Sequence, residues 1–134
     1  MPRKARVLVA GRGAGPALTT DQPLSFWGGV EIATGRIVDR HHPRFDDVVT
    51  GRVLVMPSGR GSSSSSSVLA ECIRLETGPV AIVLREPDPI LVVGAVVARE
   101  LYGRSIPIVV YGGPPIADGE EVLVDGEWVT IGRT

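Results

Sequence analysis

The residues best suited to chemistry lie in one glycine- and serine-rich stretch, Met56–Val68, with the sequence MPSGRGSSSSSSV. The pattern predicts a buried strand before it, over Arg52–Met56, and an apolar helix after it. At a strand–turn–helix junction the first N–H groups of the helix lack intrahelical partners and carry partial positive charge. Such groups point toward an anion or oxyanion, and a serine hydroxyl beside them can act as an anchor or as a base.

Six consecutive serines are also typical of a flexible linker. Linkers usually join polar segments, whereas these serines lie between the apolar runs RVLVMP and VLAECIRL. Ser62–Ser64 are favourable N-cap residues, and the later serines fit the first turn of a helix. The pattern therefore favours an ordered site loop, with the linker as the alternative. Apolar residues follow at helical spacing, namely Val68, Leu69, Cys72, Ile73 and Leu75.

Length, charge and composition limit the classes of protein to consider. The chain has 134 residues, 43% of them hydrophobic, and its 14 basic and 15 acidic residues give a formal net charge of -1. These values predict one globular domain, residues 1–134, with a core of its own. The charges are scattered and balanced, so nucleic-acid binding is not expected. No apolar run approaches membrane-spanning length, and we expect a cytoplasmic protein.

The elements around the serine stretch form a predicted β-α-β-α-β core. Gly78 is the expected residue after the last turn of the first helix, with a proline beyond it. Asp88 is the expected N-cap of the second helix, with Pro89 at its first position; its apolar run ILVVGAVVA could also be a buried strand. In chain order the core elements are strand Arg52–Met56, the serine-led helix, strand Val80–Leu84, helix Ile90–Leu101 and strand Ile106–Tyr111.

The segments outside this core are predicted to be strands, loops and hairpins. Val7–Ala10 is expected to be a first strand that ends in a loop, GRGAGPA. Val30–Ile32 and Arg36–Val38 are expected to form a hairpin around Thr34-Gly35, and a second hairpin turns at Asp125-Gly126 near the end of the chain. The predicted fold class is α/β, a single domain with a small parallel sheet, flanking helices and β-hairpins.

Two loops contain further candidate functional residues. In SFWGG, the paired glycines after Phe26-Trp27 predict a bulge or a close approach of the backbone to another surface. His41 and His42 share the polar loop RHHPRFDDVVTG. Their adjacent side chains diverge and no third ligand is nearby, so solvated or substrate-orienting histidines are favoured over a metal site. Asp39 and His42 either face a substrate or cap the loop.

Three longer blocks resemble the small subunit, or swivel domain, of the aconitase X family of dehydratases. The SFWGG and RGS motifs within them are specific in combination, and the resemblance covers nearly the whole chain. It implies a single-domain swivelling β/β/α fold. The blocks are SFWGGVEIATGRIVDRHHP at Ser25–Pro43, GRVLVMPSGRGSSSSSSVLAE at Gly51–Glu71 and GPVAIVLREPDPILVVGAVVARELYG at Gly78–Gly103.

The swivel domain in turn resembles the mobile fourth domain of aconitase, whose Gly-Ser-Ser-Arg loop supplies a catalytic serine. The first serine after the glycine is Ser62 in this chain, whereas Ser64 stands in the place of the arginine. Arg60, on the other side of Gly61, is the residue available to supply positive charge. The resemblance thus implies that Ser62 is a catalytic base whose alkoxide is stabilised by the surrounding N–H groups and Arg60.

Dehydration of a hydroxy acid also needs an acid that helps hydroxide to leave. One cysteine cannot hold an iron–sulfur cluster or a zinc ion, and Cys72 fits a core position. In the aconitase X family a larger subunit holds the cluster or metal and most of the substrate. The resemblance therefore implies one part of a two-subunit hydro-lyase, active only with its large-subunit partner.

The substrate implied by the resemblance is a small hydroxy acid. We favour cis-3-hydroxy-L-proline over mevalonate 5-phosphate, because the serines after Gly61 and the ELYG segment are more similar to the bacterial hydroxyproline-type subunits. A non-catalytic swivelling module that binds a small anion at the glycine–serine loop is the alternative. The predicted site contains Ser62 as the catalytic residue, no metal ligand, and the substrate-binding residues Arg60, Gly61, Ser63, Ser25, Trp27 and Gly28.

Overall fold

The computed structural model describes residues 2–132, in which eight strands form one sheet and two helices pack against it. The strand order across the sheet is β1-β8-β7-β3-β4-β5-β6-β2. The elements are β1 (Pro2–Lys4), β2 (Arg6–Val9), β3 (Arg12–Thr19), β4 (Val53–Met56), α1 (Ser65–Leu75), β5 (Ala81–Leu84), α2 (Pro89–Tyr102), β6 (Ile108–Val110), β7 (Glu121–Asp125) and β8 (Trp128–Ile131).

The centre of the sheet is parallel and its two ends are antiparallel. Strands β3, β4, β5 and β6 pair in parallel, with α1 and α2 as the crossovers between β4, β5 and β6. Strand β2 pairs antiparallel with β6 at one end, and β7 pairs antiparallel with β3 at the other. The predicted α/β class and β-α-β-α-β order are confirmed, but the parallel strands belong to a larger mixed sheet.

Alternation along the central strands gives the sheet two buried faces. In β4, Leu54 belongs to the core that contains Leu69 of α1 and Ala95 of α2, so both helices pack on one face. The neighbouring Val53 belongs to the other core, which contains Val124 of β7. Because successive side chains of a strand point to opposite faces, β4 contributes to both cores and is buried along its length.

The segment GRGAGPA is part of strand β3, so its prediction as a loop is wrong. A Cβ on Gly13 would lie 2.1 Å from the carbonyl oxygen of Val80, which explains a small residue at this point of the sheet. Residues 12–16 pair only with β7, and pairing with β4 begins at Ala17. Pro16 has no N–H to donate, but it precedes the part of β3 that pairs with β4, so no hydrogen bond between these two strands is lost.

Two other predictions about local structure need correction. Val30–Ile32 and Arg36–Val38 form no regular strands, because the structure has only a single Val30–Ile37 bridge beside the tight turn at Gly35. Helix α1 ends at Leu75, and the left-handed residue that caps it is Glu76, with a φ of 60°, instead of Gly78. By contrast, Asp88 caps α2 as predicted, with Oδ1 accepting from the N–H of Ile90 at 3.0 Å.

A charged cluster joins β3, β4 and the loop before β7. The Oδ1 atom of Asp118 accepts from the N–H of Thr19 at 3.0 Å and lies 3.0 Å from Nη1 of Arg44 and 3.6 Å from Nη2 of Arg52. Burial alone would raise the pKa of Asp118, but the hydrogen bonds and the two arginines outweigh it and lower that pKa. The ionised carboxylate therefore stabilises the folded chain.

We expect Asp118→Asn to lower the free energy of unfolding at pH 7 by about 1 kcal/mol, a modest value because the side chain is half exposed. The folded pKa lies below the ordinary value of 3.8. The contribution is therefore complete above that pH and is lost as the pH falls through the folded pKa. Urea unfolding from pH 7 to pH 3 measures it, with exposed Glu127→Gln as the control. A loss in Asp118→Asn that does not shrink at low pH would contradict this account.

Candidate functional site

The loop after β4 is held against the N-terminus of α2. The carbonyl oxygen of Pro57 accepts from the N–H groups of Arg85 and Glu86 at 3.0 and 3.1 Å. Gly59 forms a parallel bridge with Leu24, and a Cβ at Gly59 would lie 2.1 Å from Oδ2 of Asp88. The glycine thus allows the loop to approach the residue that caps α2.

Ser62 lies at the point where this loop becomes helix α1. Gly61 has a φ of 67°, and around it the N–H of Ser62 donates to the carbonyl oxygen of Arg60 at 3.2 Å. The Oγ of Ser62 accepts from the N–H of Ser64 at 3.2 Å, and its carbonyl oxygen accepts from the N–H of Ser65 at 2.9 Å. The serine run is therefore an ordered loop and helix start, as the pattern favoured.

The N-cap position of α1 is taken by Ser64, whose side chain makes no capping hydrogen bond. Within residues 2–132, the N–H groups of Gly61 and Ser63 donate to no protein acceptor. Arg60 is exposed and forms no ion pair with any described residue. These groups leave two N–H donors and one cation available to an anion in front of the helix.

The SFWGG turn packs beside this helix start. Phe26 is fully buried in the core, whereas Trp27 is 58% exposed, so the two aromatic side chains have different roles. The N–H of Trp27 donates to Oγ of Ser65 at 3.1 Å. The Oγ of Ser25 donates to the carbonyl oxygen of Trp27 at 2.9 Å and lies 3.3 Å from Oγ of Ser65. The turn is therefore bonded directly to α1.

These two loops and the histidine loop surround one open cleft of about 590 Å³. Five predicted site residues line it together, whereas Gly28 and Ser63 lie beside lining residues without lining it themselves. Asp39 and His41 complete the wall, with Oδ1 of Asp39 accepting from the N–H of His41 at 2.9 Å. The full lining is Ser25, Trp27, Asp39, His41, Arg60, Gly61 and Ser62.

The adjacent histidines have opposite environments. His42 is only 6% exposed, its Nδ1 accepts from the N–H of Arg44 at 3.0 Å, and its Nε2 lies 3.3 Å from the carbonyl oxygen of Gln22. His42 therefore caps its loop and does not face the cleft, whereas Asp39 does. Adjacency predicts that the two side chains diverge, but the sequence does not show which of them is buried.

Ser65 is a buried contact of the candidate site that sequence reasoning missed. It is 3% exposed, and its hydroxyl joins α1 to the SFWGG turn. In the sequence, nothing distinguishes Ser65 from the other five serines of the run. Only the position of the helix start, one residue after Ser64, turns its side chain inward.

The cleft can remove a proton or bind an anion, and it contains no evident metal centre. Among residues 2–132, no group of three or more His, Cys, Asp and Glu side chains could hold a metal ion. Cys72 is buried in α1, where burial raises the pKa of its thiol, so it is a core residue. In the same part of the chain, neither helix has the length and apolar character needed to cross a membrane.

The fold and the serine loop define a class of α/β domain that is found in known dehydratases. The chain is similar to the crystal structure of Thermococcus kodakaraensis aconitase X in its holo-form, with a TM-score of 0.87, 30% identity and 98% of both chains covered. It is also similar to the solution NMR structure of a UPF0107 protein, with a TM-score of 0.84 and 30% identity over 98% of both chains.

Residues 3–133 match the family model of the aconitase X swivel domain. The chain therefore belongs to that family. It is 51% identical over 107 residues, or 80% of this chain, to the cis-3-hydroxy-L-proline dehydratase of Pseudomonas aeruginosa. It is 42% identical over 93 residues, or 69% of this chain, to the phosphomevalonate dehydratase small subunit of Methanothermobacter thermautotrophicus, and it covers 71% of that protein.

The relatives differ in how this domain is arranged. The matched region is 18% of the Pseudomonas protein and 20% of the Hypocrea jecorina cis-3-hydroxy-L-proline dehydratase, so this chain spans about a fifth of those two proteins. The archaeal relatives are instead named small subunits, which implies a larger partner in those proteins.

We expect Gly59→Ala to lower the free energy of unfolding by about 1–3 kcal/mol, because its Cβ would overlap Oδ2 of Asp88 and force the loop or the cap of α2 to move. Gly112→Ala is the matched control, since a Cβ there meets nothing within 4 Å. Urea unfolding of both variants measures the difference. Equal stability of the two variants would show that the loop is not closely packed on α2.

Proposed function

We propose that this chain is the swivel-domain small subunit of an aconitase X-type hydro-lyase and that Ser62 is its catalytic base. The observation that best supports this proposal is the position of Ser62 in the cleft, just before the N-terminus of α1 and close to Arg60 in sequence. Such a hydroxyl can lose its proton because positive partial charges stabilise the alkoxide. The family membership and the names of the relatives support a dehydratase.

Under this proposal, this chain and a larger subunit each supply some of the catalytic groups. Ser62 removes a proton from the carbon next to the one that bears the departing hydroxyl, while the N–H of Ser64, 3.2 Å from Oγ, helps to stabilise the negative charge of the Ser62 alkoxide. Arg60 binds a carboxylate of the substrate or contacts the alkoxide. Lewis acidity for the departing hydroxide would come from an iron–sulfur cluster or metal ion on a larger subunit.

The favoured substrate is cis-3-hydroxy-L-proline, with mevalonate 5-phosphate as the second choice. The 51% identity to the Pseudomonas dehydratase extends over 107 residues, whereas a 52% identity to the phosphomevalonate dehydratase small subunit of Methanopyrus kandleri extends over only 79. The lining contains one arginine, which suits a single carboxylate; a phosphorylated acid would need further cations from the partner.

Ser62→Ala tests the base directly. In the complex with the aconitase X large subunit of the same organism, we expect kcat to fall about 10²–10⁴-fold, the usual contribution of a positioned general base. Both substrates are assayed, and the control is Ser67→Ala, an exposed serine on α1 that does not line the cleft. Unchanged turnover of Ser62→Ala would reject the catalytic role.

A non-catalytic anion-binding module is the second candidate, and the free N–H groups of Gly61 and Ser63 favour it. This function predicts that the isolated chain binds a small carboxylate or phosphate. It also predicts that the turnover of a partner does not depend on Ser62. The Ser62→Ala assay therefore separates the two functions.

We expect the chain to form a stable complex with that large subunit and to be inactive alone, because residues 2–132 contain no group of three or more His, Cys, Asp and Glu side chains that could hold a metal ion. Trp27, exposed beside the paired glycines, is a suitable interface anchor. Size-exclusion chromatography of the co-expressed chains, and of a Trp27→Ala variant, measures association. Separate elution at micromolar concentration, with dehydration by the small chain alone, would reject the partnership.

A further inference from the structure

Three hydrogen bonds form a closed ring, two of them between the SFWGG turn and helix α1 and one within the turn. The N–H of Trp27 donates to Oγ of Ser65 at 3.1 Å, and the hydroxyl of Ser25 donates to the carbonyl oxygen of Trp27 at 2.9 Å. The remaining contact joins the two serine Oγ atoms at 3.3 Å, and only the hydroxyl of Ser65 still has a free hydrogen for it. Each donor is then used once, and each hydroxyl both donates and accepts.

We infer that Ser65 is a positioning residue, which holds the Trp27 wall of the cleft in register with Ser62. Ser65 and Ser62 are three residues apart, and the carbonyl oxygen of Ser62 accepts from the N–H of Ser65 at 2.9 Å. The same residue therefore fixes Ser62 through its backbone and Trp27 through its side chain. The catalytic consequence of this role rests on the proposed function.

Because the ring of hydrogen bonds is buried at Ser65, it restricts the position of the SFWGG turn relative to α1. Ser65 is 3% exposed, so water cannot readily replace its hydroxyl as the acceptor for the N–H of Trp27. Trp27 itself is 58% exposed and has little side-chain packing to hold it. The backbone after Trp27 is held farther along, where the N–H of Val30 donates to the carbonyl oxygen of Phe26 at 3.2 Å and the carbonyl oxygen of Gly29 accepts from the N–H of Val38 at 2.8 Å. The hydroxyl of Ser65 is the side-chain contact that joins this turn to α1, in addition to the anchoring of the turn in the core by buried Phe26.

The first test follows Trp27 without any assay of activity. The chain has two tryptophans, so Trp128→Phe leaves Trp27 as the only one. In this background we expect Ser65→Ala to raise acrylamide quenching of Trp27 fluorescence clearly, while Ser67→Ala leaves it unchanged. Unaltered quenching in Ser65→Ala would overturn the inference. If Ser65→Ala does not fold, Ser25→Ala opens the same ring from the other side and gives the same readout.

The second test uses the complex with the large subunit. We expect Ser65→Ala to lower kcat/KM about tenfold, the usual scale for one lost buried hydrogen bond. Ser25→Ala combined with Ser65→Ala should lose little more than the stronger single variant, because both changes break one ring. Full kcat/KM in Ser65→Ala would overturn the positioning role. Loss in Ser65→Ala with full turnover in Ser62→Ala would instead support Ser65 and reject Ser62 as the base.

Discussion

The parallel pairing of β4 with β5 is the constraint on which the candidate site depends. It requires α1 to cross back over the sheet, so the chain must turn sharply after Met56 and start a helix at Ser65. That turn lies at the carboxyl ends of the parallel strands, where α/β proteins commonly bind ligands. The loop that carries Ser62, with the N–H groups of Gly61 and Ser63 that donate to no protein acceptor, therefore lies at this edge of the sheet and has little freedom to lie elsewhere.

The sequence predicted the parts of the fold that depend on local patterns. The order β4-α1-β5-α2-β6 follows from apolar runs of the right length, and Asp88-Pro89 marks the start of α2 by a local rule that the structure obeys. The eight-stranded sheet was not predicted, because residues 13–17 of β3 are all glycine, alanine or proline. Gly13 lies in this strand because a neighbouring carbonyl oxygen leaves no space for a side chain, and that long-range contact has no sequence signature.

The residues of the candidate site could also be predicted only where a local sequence pattern marks them. Arg60, Gly61 and Ser62 were found because a glycine turn between an apolar strand and an apolar helix has a definite geometry. Ser25 and Trp27 were named from the paired glycines and the family resemblance, and the structure places them in the same cleft. The inward position of Ser65 depends on the residue at which α1 begins, and helix ends are the least reliable part of any prediction from sequence.

The structure also shows which contacts hold the two loops of the candidate site together. The fully buried Phe26 anchors the SFWGG turn in the helix-side core, Pro57 and Gly59 tie the serine loop to the ends of β5 and α2, and Ser65 joins the two loops. None of these contacts requires a bound substrate, so both loops are organised before binding. A pre-organised loop lowers the entropy lost when a substrate or a second subunit binds. If the chain acts as proposed, it contributes to catalysis a pre-formed surface that carries one base. A partner subunit then needs only to bind against that surface in the correct orientation.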